Sequence, residues 1–129
     1  MEKSGFYVHC VDEPSEECFN AHTHGFKESW GHTDFQIVLP ISTNIIMGIM
    51  HTIASRIRDG EVLEAGTTVE RIIKSLPVRL ERAAESNREV IRVILPDSAG
   101  RFPGDYGVDQ AYDRQVYVLG GIIQKGENA

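Results

Sequence analysis

A chain of 129 residues with 41% apolar and 25% charged side chains fits one compact domain and is too apolar for general disorder. Its net charge of −6 argues against nucleic-acid binding, which needs a basic stripe to displace counterions. The arginines gathered between Arg56 and Arg92 are interleaved with acids and read as solvated, self-compensating faces. The N-terminal stretch lacks the apolar core of a signal peptide, and no apolar run approaches the length of a bilayer span. The two cysteines, Cys10 and Cys18, form neither a zinc pair nor a disulfide framework and read as reduced thiols, with Cys10 a small core residue. The expectation is a cytoplasmic protein.

In chain order, residues 5–11 are rich in aromatic and β-branched side chains and predict a strand. Alternation points Phe6, Val8 and Cys10 one way and Tyr7, His9 and Val11 the other. After an acidic break, residues 18–26 predict a second strand, with Ala21 and Thr23 on one face and Asn20, His22, His24 and Phe26 on the opposite one. Residues 27–33 read as a connection and 34–41 as a third strand, which together suggest an antiparallel meander. Residues 42–60 predict the clearest helix. Ser42 or Thr43 caps it, Ile45, Ile46, Ile49, Met50, Ile53 and Ile57 recur at helical spacing, and Gly60 ends it. Gly48 inside costs about 1 kcal/mol relative to Ala, which implies close packing or tolerance. His51 lies off the apolar stripe and is expected to be exposed.

Thr67 and Glu70 form a capping-box pattern that predicts a second short helix up to Pro77. Strands are expected at 77–83, 88–95 and finally 114–121, followed by a frayed tail at 124–129. The result is one α+β domain over residues 1–129, a mostly antiparallel sheet carrying one long helix.

Two stretches carry candidate chemistry: T-H-G-F-K-E-S-W-G-H-T-D at 23–34 and P-D-S-A-G-R-F-P at 96–103. With the helix ending at Gly60 and a further Gly66, they resemble a bacterial family catalogued as domain of unknown function 4262. That family shows T-x-G-L, then G-H-P-E, and later P-D-x-x-G-R-F-P. Thr23, Gly25, Gly31 and His32 match the first pattern, with Thr33 in place of Pro and Asp34 in place of Glu. Pro96, Asp97, Gly100, Arg101, Phe102 and Pro103 match the second, and the late Q-V-Y-V-L takes the place of a closing Q-P-x-L. The resemblance carries no mechanism. His22 and His24 depart from the family pattern, so only His32 inherits a place in it.

Three functional readings follow. The leading one is a polar pocket for a small anionic molecule, with His32 moving a proton, Asp34 orienting it, and Asp97 and Arg101 lining the pocket, Arg101 as the clamp. The second is a metal-dependent enzyme. His22 and His24, at i and i+2 on a strand, project from one face about 7 Å apart at Cα. They could hold Zn or Fe with Glu28, His32 or Asp34. H-x-H-x-x-x-E reproduces a cupin metal spacing, though without its flanking glycines. The third is a non-enzymatic interaction module, and an exposed sheet edge would allow a homodimer. Against each stands a structural alternative: Asp97 and Arg101 bracing their own turn, His32 bonding a backbone carbonyl, and a solvent-facing histidine pair. No nucleophile elbow, P-loop or dinucleotide fingerprint occurs. Alternation also separates His9 from Cys10, which argues against a dyad between them.

Overall fold

A computed structural model describes residues 5–11, 17–18 and 20–123. In chain order the elements are β1 (Tyr7–Val11), β2 (Glu17–Cys18), β3 (Asn20–His24), α1 (Phe26–Trp30), β4 (Phe35–Ile37), β5 (Ile41–Ser42) and α2 (Thr43–Arg58). Then come β6 (Thr68–Val69), β7 (Val78–Glu85), β8 (Arg88–Ile94) and α3 (Gln110–Asp113). Six strands form one sheet in the order β1-β3-β4-β8-β7-β6, while β2 and β5 pair separately. The meander of β1, β3 and β4 is antiparallel as expected, and β4 pairs parallel to β8. The chain is an α+β domain with a mixed sheet.

Alternation sorts the sheet into two faces. On the helix side Phe6, Cys10, Ala21, Phe35, Ile37, Val78, Leu80, Ile91 and Val93 are buried in one cluster with Ile46, Ile49, Met50, Ile53 and Ile57 of α2. Burial of this stripe, at roughly 25 cal/mol per Å² of apolar surface, is what holds α2 to the sheet. Ser42 caps the helix, its Oγ accepting from the backbone N–H of Asn44 at 3.2 Å. The helix stops at Asp59 and Gly60, the latter with φ 102. Ile45, expected in the stripe, is instead 55% exposed, and Gly48 meets nothing within 4 Å, so its presence reflects tolerance. His51 is exposed, with its ring against Phe6 at 5.0 Å.

Several expectations change. Thr67–Leu76 is not a helix. Thr68 and Val69 pair with Arg79 and Val78, the Thr67 hydroxyl donates to the Glu64 carbonyl, and Arg71 and Ser75 have positive φ. Short helices form instead at α1, within the expected connection, and at α3. The closing strand at 114–121 is replaced by tight helical turns, with one bridge between Ala83 and Ile122. The buried amide of Gln115 exchanges hydrogen bonds with the backbone of Leu95, which fixes these turns against the end of β8. Cys10 is disulfide-bonded rather than a free thiol, and Cys18 is the only other cysteine of the sequence. The chain doubles back between them, since Val11 pairs with Asn20. The cytoplasmic expectation thereby loses the reduced thiols it rested on. Among the described residues no helix is long and apolar enough to cross a membrane. The expected tail at 124–129 lies outside the described residues.

The helix face supplies a direct test. Ile53→Ala is expected to lower stability by about 2–5 kcal/mol, whereas Ile45→Ala changes it by about 0.5 kcal/mol or less, measured by urea unfolding. Equal losses would contradict the burial pattern.

Candidate functional site

The second face of the sheet is polar where the first is apolar. β1 and β3 pair so that His9 lies opposite His22 and Tyr7 opposite His24. All four side chains leave the sheet away from α2, because Phe6, Val8, Cys10, Ala21 and Thr23 take the alternate positions. The rings of His9 and His22 meet edge-on at 4.9 Å, as do those of His22 and His24, and Tyr7 stacks on His24 at 5.0 Å. Nδ1 of His9 lies 3.1 Å from Nε2 of His22. One ligating atom from each of the three histidines falls within 4.8 Å of the others.

The cluster runs from buried to open. His22 is 2% exposed, His24 half-buried and His9 exposed at the sheet edge. Burial pushes the His22 pKa down to about 4, against the opposing pull of Glu85 and with help from His24, His9 and Arg88. Burial, then Arg88, also lowers His24. Both shifts favour the neutral ring, whose lone pair is available to a cation. His22 Nδ1 is a buried ring nitrogen with no hydrogen-bond partner, which costs free energy unless something fills it. The set of imidazole donors, with His22 Nε2 facing His9, fits a divalent transition metal.

A charged frame borders the cluster. β7 and β8 are joined by the two-residue turn Ser86-Asn87, both with positive φ, the geometry that suits the twist of a tight hairpin. That turn sets Glu85 opposite Arg88. Glu85 Oε2 reaches to 3.6 Å from His22 Nε2, while its Oε1 accepts from Arg88 Nε at 2.7 Å. Burial works against the Glu85 charge, but hydrogen bonds from Arg88 and Ser86 and the nearby His22 and Arg88 outweigh it and hold its carboxyl below the usual range. Arg88 donates further to Asp34 Oδ2 at 3.1 Å and to the Thr23 carbonyl at 2.7 Å.

The residues singled out in the sequence divide into three groups. His22 and His24 are together. Glu28 lies exposed on α1 and is not in the histidine cluster. His32 is buried: its Nε2 accepts from the Leu63 N–H at 3.1 Å, so the proton sits on Nδ1 and goes to the Thr33 carbonyl at 2.9 Å. Asp34 Oδ1 accepts from the Thr23 hydroxyl at 2.6 Å and from the Phe26 N–H at 3.2 Å, which ties β3 to the start of α1. Asp97 accepts from the backbone of Ala99, Arg101 and Asp109 and from Arg101 Nε, bracing its own loop. These four do not converge. β4 and β8 run parallel with Phe35 beside Ile91, so Asp97 lies six residues beyond the Asp34 end, roughly 20 Å along the strands. Cavities of about 580 Å³ and 540 Å³ open elsewhere, and none of the four residues lines either.

His9, Glu85 and Arg88 were the residues missed. Alternation already set His9 on the face opposite Phe6 and Cys10, and pairing the first two strands in register would have joined it to His22. For Glu85 and Arg88 the signal was E-S-N-R between two alternating runs, a two-residue hairpin loop.

Asp97 gives the loop a measurable pH signature. Burial would raise its pKa, but the N–H groups of Arg101, Asp109 and Ala99 and the Arg101 side chain overcome this and hold it at about 2, against an ordinary 3.8. A depressed carboxyl contributes stability above its unfolded pKa and loses it as pH falls through the folded one. The melting temperature of Asp97→Asn should therefore depend less on pH than that of the parent between about pH 4 and pH 2. Parallel curves would contradict the loop geometry.

A family model described as a domain of unknown function (DUF4262) matches residues 1–109, a span that holds the histidine cluster, its charged frame and the Asp97 turn. No curated protein and no solved structure matches the chain.

Proposed function

The chain belongs to the DUF4262 family, and on that premise we propose that it binds a divalent transition-metal ion through His9, His22 and His24. The observation that carries this reading is the mutual approach of three imidazole nitrogens within 4.8 Å, contributed by two paired strands. Tetrahedral coordination at metal–nitrogen distances of about 2.0–2.1 Å sets neighbouring ligands about 3.3 Å apart. The 3.1 Å between His9 and His22 is already close to that spacing. Imidazole ligands suit Zn, Fe, Ni or Cu, and disfavour Mg and Ca, which prefer all-oxygen sets.

Strand geometry supports a preorganised site. His22 and His24 are fixed two residues apart on one strand, and His9 is fixed by the register of its neighbour. His9 stands at the open side, where water or a small molecule could complete the coordination sphere of a metal-dependent enzyme. The alternative pocket built on His32, Asp34, Asp97 and Arg101 has less support, since Asp34 and Asp97 lie at two ends of the sheet and His32, Asp34 and Asp97 are engaged in hydrogen bonds that brace the fold.

Calorimetric titration of tag-free protein with Zn²⁺ should show one equivalent bound. His9→Ala, at an exposed position, and His22→Ala should each weaken binding about tenfold or more, while Glu28→Gln leaves it unchanged. Protein that takes up neither Zn²⁺, Fe²⁺, Co²⁺ nor Ni²⁺ would overturn the proposal.

A further inference from the structure

We propose that Glu85 supplies the carboxylate ligand of this metal site and that Arg88, anchored by Asp34, is its positioning residue; the inference rests on the metal reading above. Glu85 Oε2 stands 3.6 Å from His22 Nε2, the same nitrogen that faces His9 Nδ1 at 3.1 Å. Metal–oxygen and metal–nitrogen bonds of about 2.0–2.2 Å around a tetrahedral ion separate adjacent donors by about 3.3–3.5 Å. The two contacts bracket that spacing at His22 Nε2, and Glu85, which stands outside the group of three histidines whose atoms lie within 4.8 Å of one another, turns its side chain toward them to complete the set.

Glu85 Oε1 accepts from Arg88 Nε at 2.7 Å, while Oε2 is the oxygen at 3.6 Å from His22. In this arrangement the carboxylate offers Oε2 to the ion while its other oxygen is held by a cation. Arg88 is itself fixed. Its Nη1 donates to Asp34 and its Nη2 to the Thr23 carbonyl, one residue from both His22 and His24. Glu85 is 12% exposed at its side chain, so its charge is largely removed from water and depends on this pairing. The arrangement runs Asp34, Arg88, Glu85, His22, and it connects the G-H-T-D stretch to the histidines through a guanidinium. Outer partners of this kind orient ligands and set metal affinity.

The donor set becomes three nitrogens and one oxygen, with a net negative charge from Glu85 to offset the ion. That composition binds Zn²⁺ or Co²⁺ more tightly than the imidazoles alone. The Co²⁺-loaded protein provides the readout, because its visible absorption reports coordination number and ligand type. Glu85→Gln should shift those bands and weaken Co²⁺ binding about 10–100-fold, with Glu85→Asp intermediate. Arg88→Gln should weaken binding about tenfold when Glu85 is present and add no further loss in a Glu85→Gln background, the signature of a residue acting through another. Circular dichroism checks that each variant is folded. Wild-type protein that binds Co²⁺ while Glu85→Gln shows the same affinity and spectrum would sink this inference and leave the three-histidine site standing. Wild-type protein that fails to bind Co²⁺, Zn²⁺, Fe²⁺ or Ni²⁺ would remove both.

Discussion

The guanidinium of Arg88 closes a gap in the sheet, and the polar face is arranged around it. β4 begins only at Phe35, whereas β3 on one side and β8 on the other extend past that point. Near the end of β3 the Thr23 carbonyl accepts from Arg88 Nη2. The same group takes Asp34 from the start of β4 and Glu85 from the far arm of the hairpin. One planar donor with five N–H groups can serve three acceptors in this way, where a lysine ammonium would lose the fork geometry. Without it, the ends of β3 and β4 and the β7–β8 hairpin would have no common partner.

Asp34 shows how one carboxylate serves fold and site together. Its first oxygen joins the Thr23 hydroxyl to the start of α1, and Thr23 in turn accepts from the Phe35 N–H. Its second oxygen holds Arg88. His32, two residues before it, is fully engaged with backbone on both nitrogens and stacks on Phe35 at 5.4 Å. The corner that resembles a family motif is thus a brace, and the histidine cluster it borders sits on β1 and β3.

Much of this was readable from the residues. Period-two alternation separated Phe6 and Cys10 from His9, and Ala21 from His22, because side-chain direction in a strand is a local property. The apolar stripe of α2 was readable for the same reason, with Ile45 misplaced at its margin. What failed was whatever depends on partners far along the chain. The capping box at Thr67 and Glu70 lost to strand pairing with Arg79 and Val78. Glu85 meets His22 across 63 positions of sequence, and only the strand order brings them together. The separation of Asp34 from Asp97 was hidden on the same ground, since nothing local told that β4 and β8 run parallel and leave the two residues at separate ends.

Arg92, in the centre of the sheet, bears on where this folding unit ends. It is fully buried beside Gln36, and its hydrogen bonds go to neutral oxygens: the Gln36 amide and the carbonyls of Gln115 and Val118. Burial pushes its pKa down to about 10, so at neutral pH it is still a cation that must be solvated from within. Two of its three solvating oxygens lie beyond residue 109, where the family model stops. A chain cut at that boundary would leave the guanidinium with the Gln36 amide alone among these three acceptors. The segment that looks like an appendage is thus the internal solvent of the central strand.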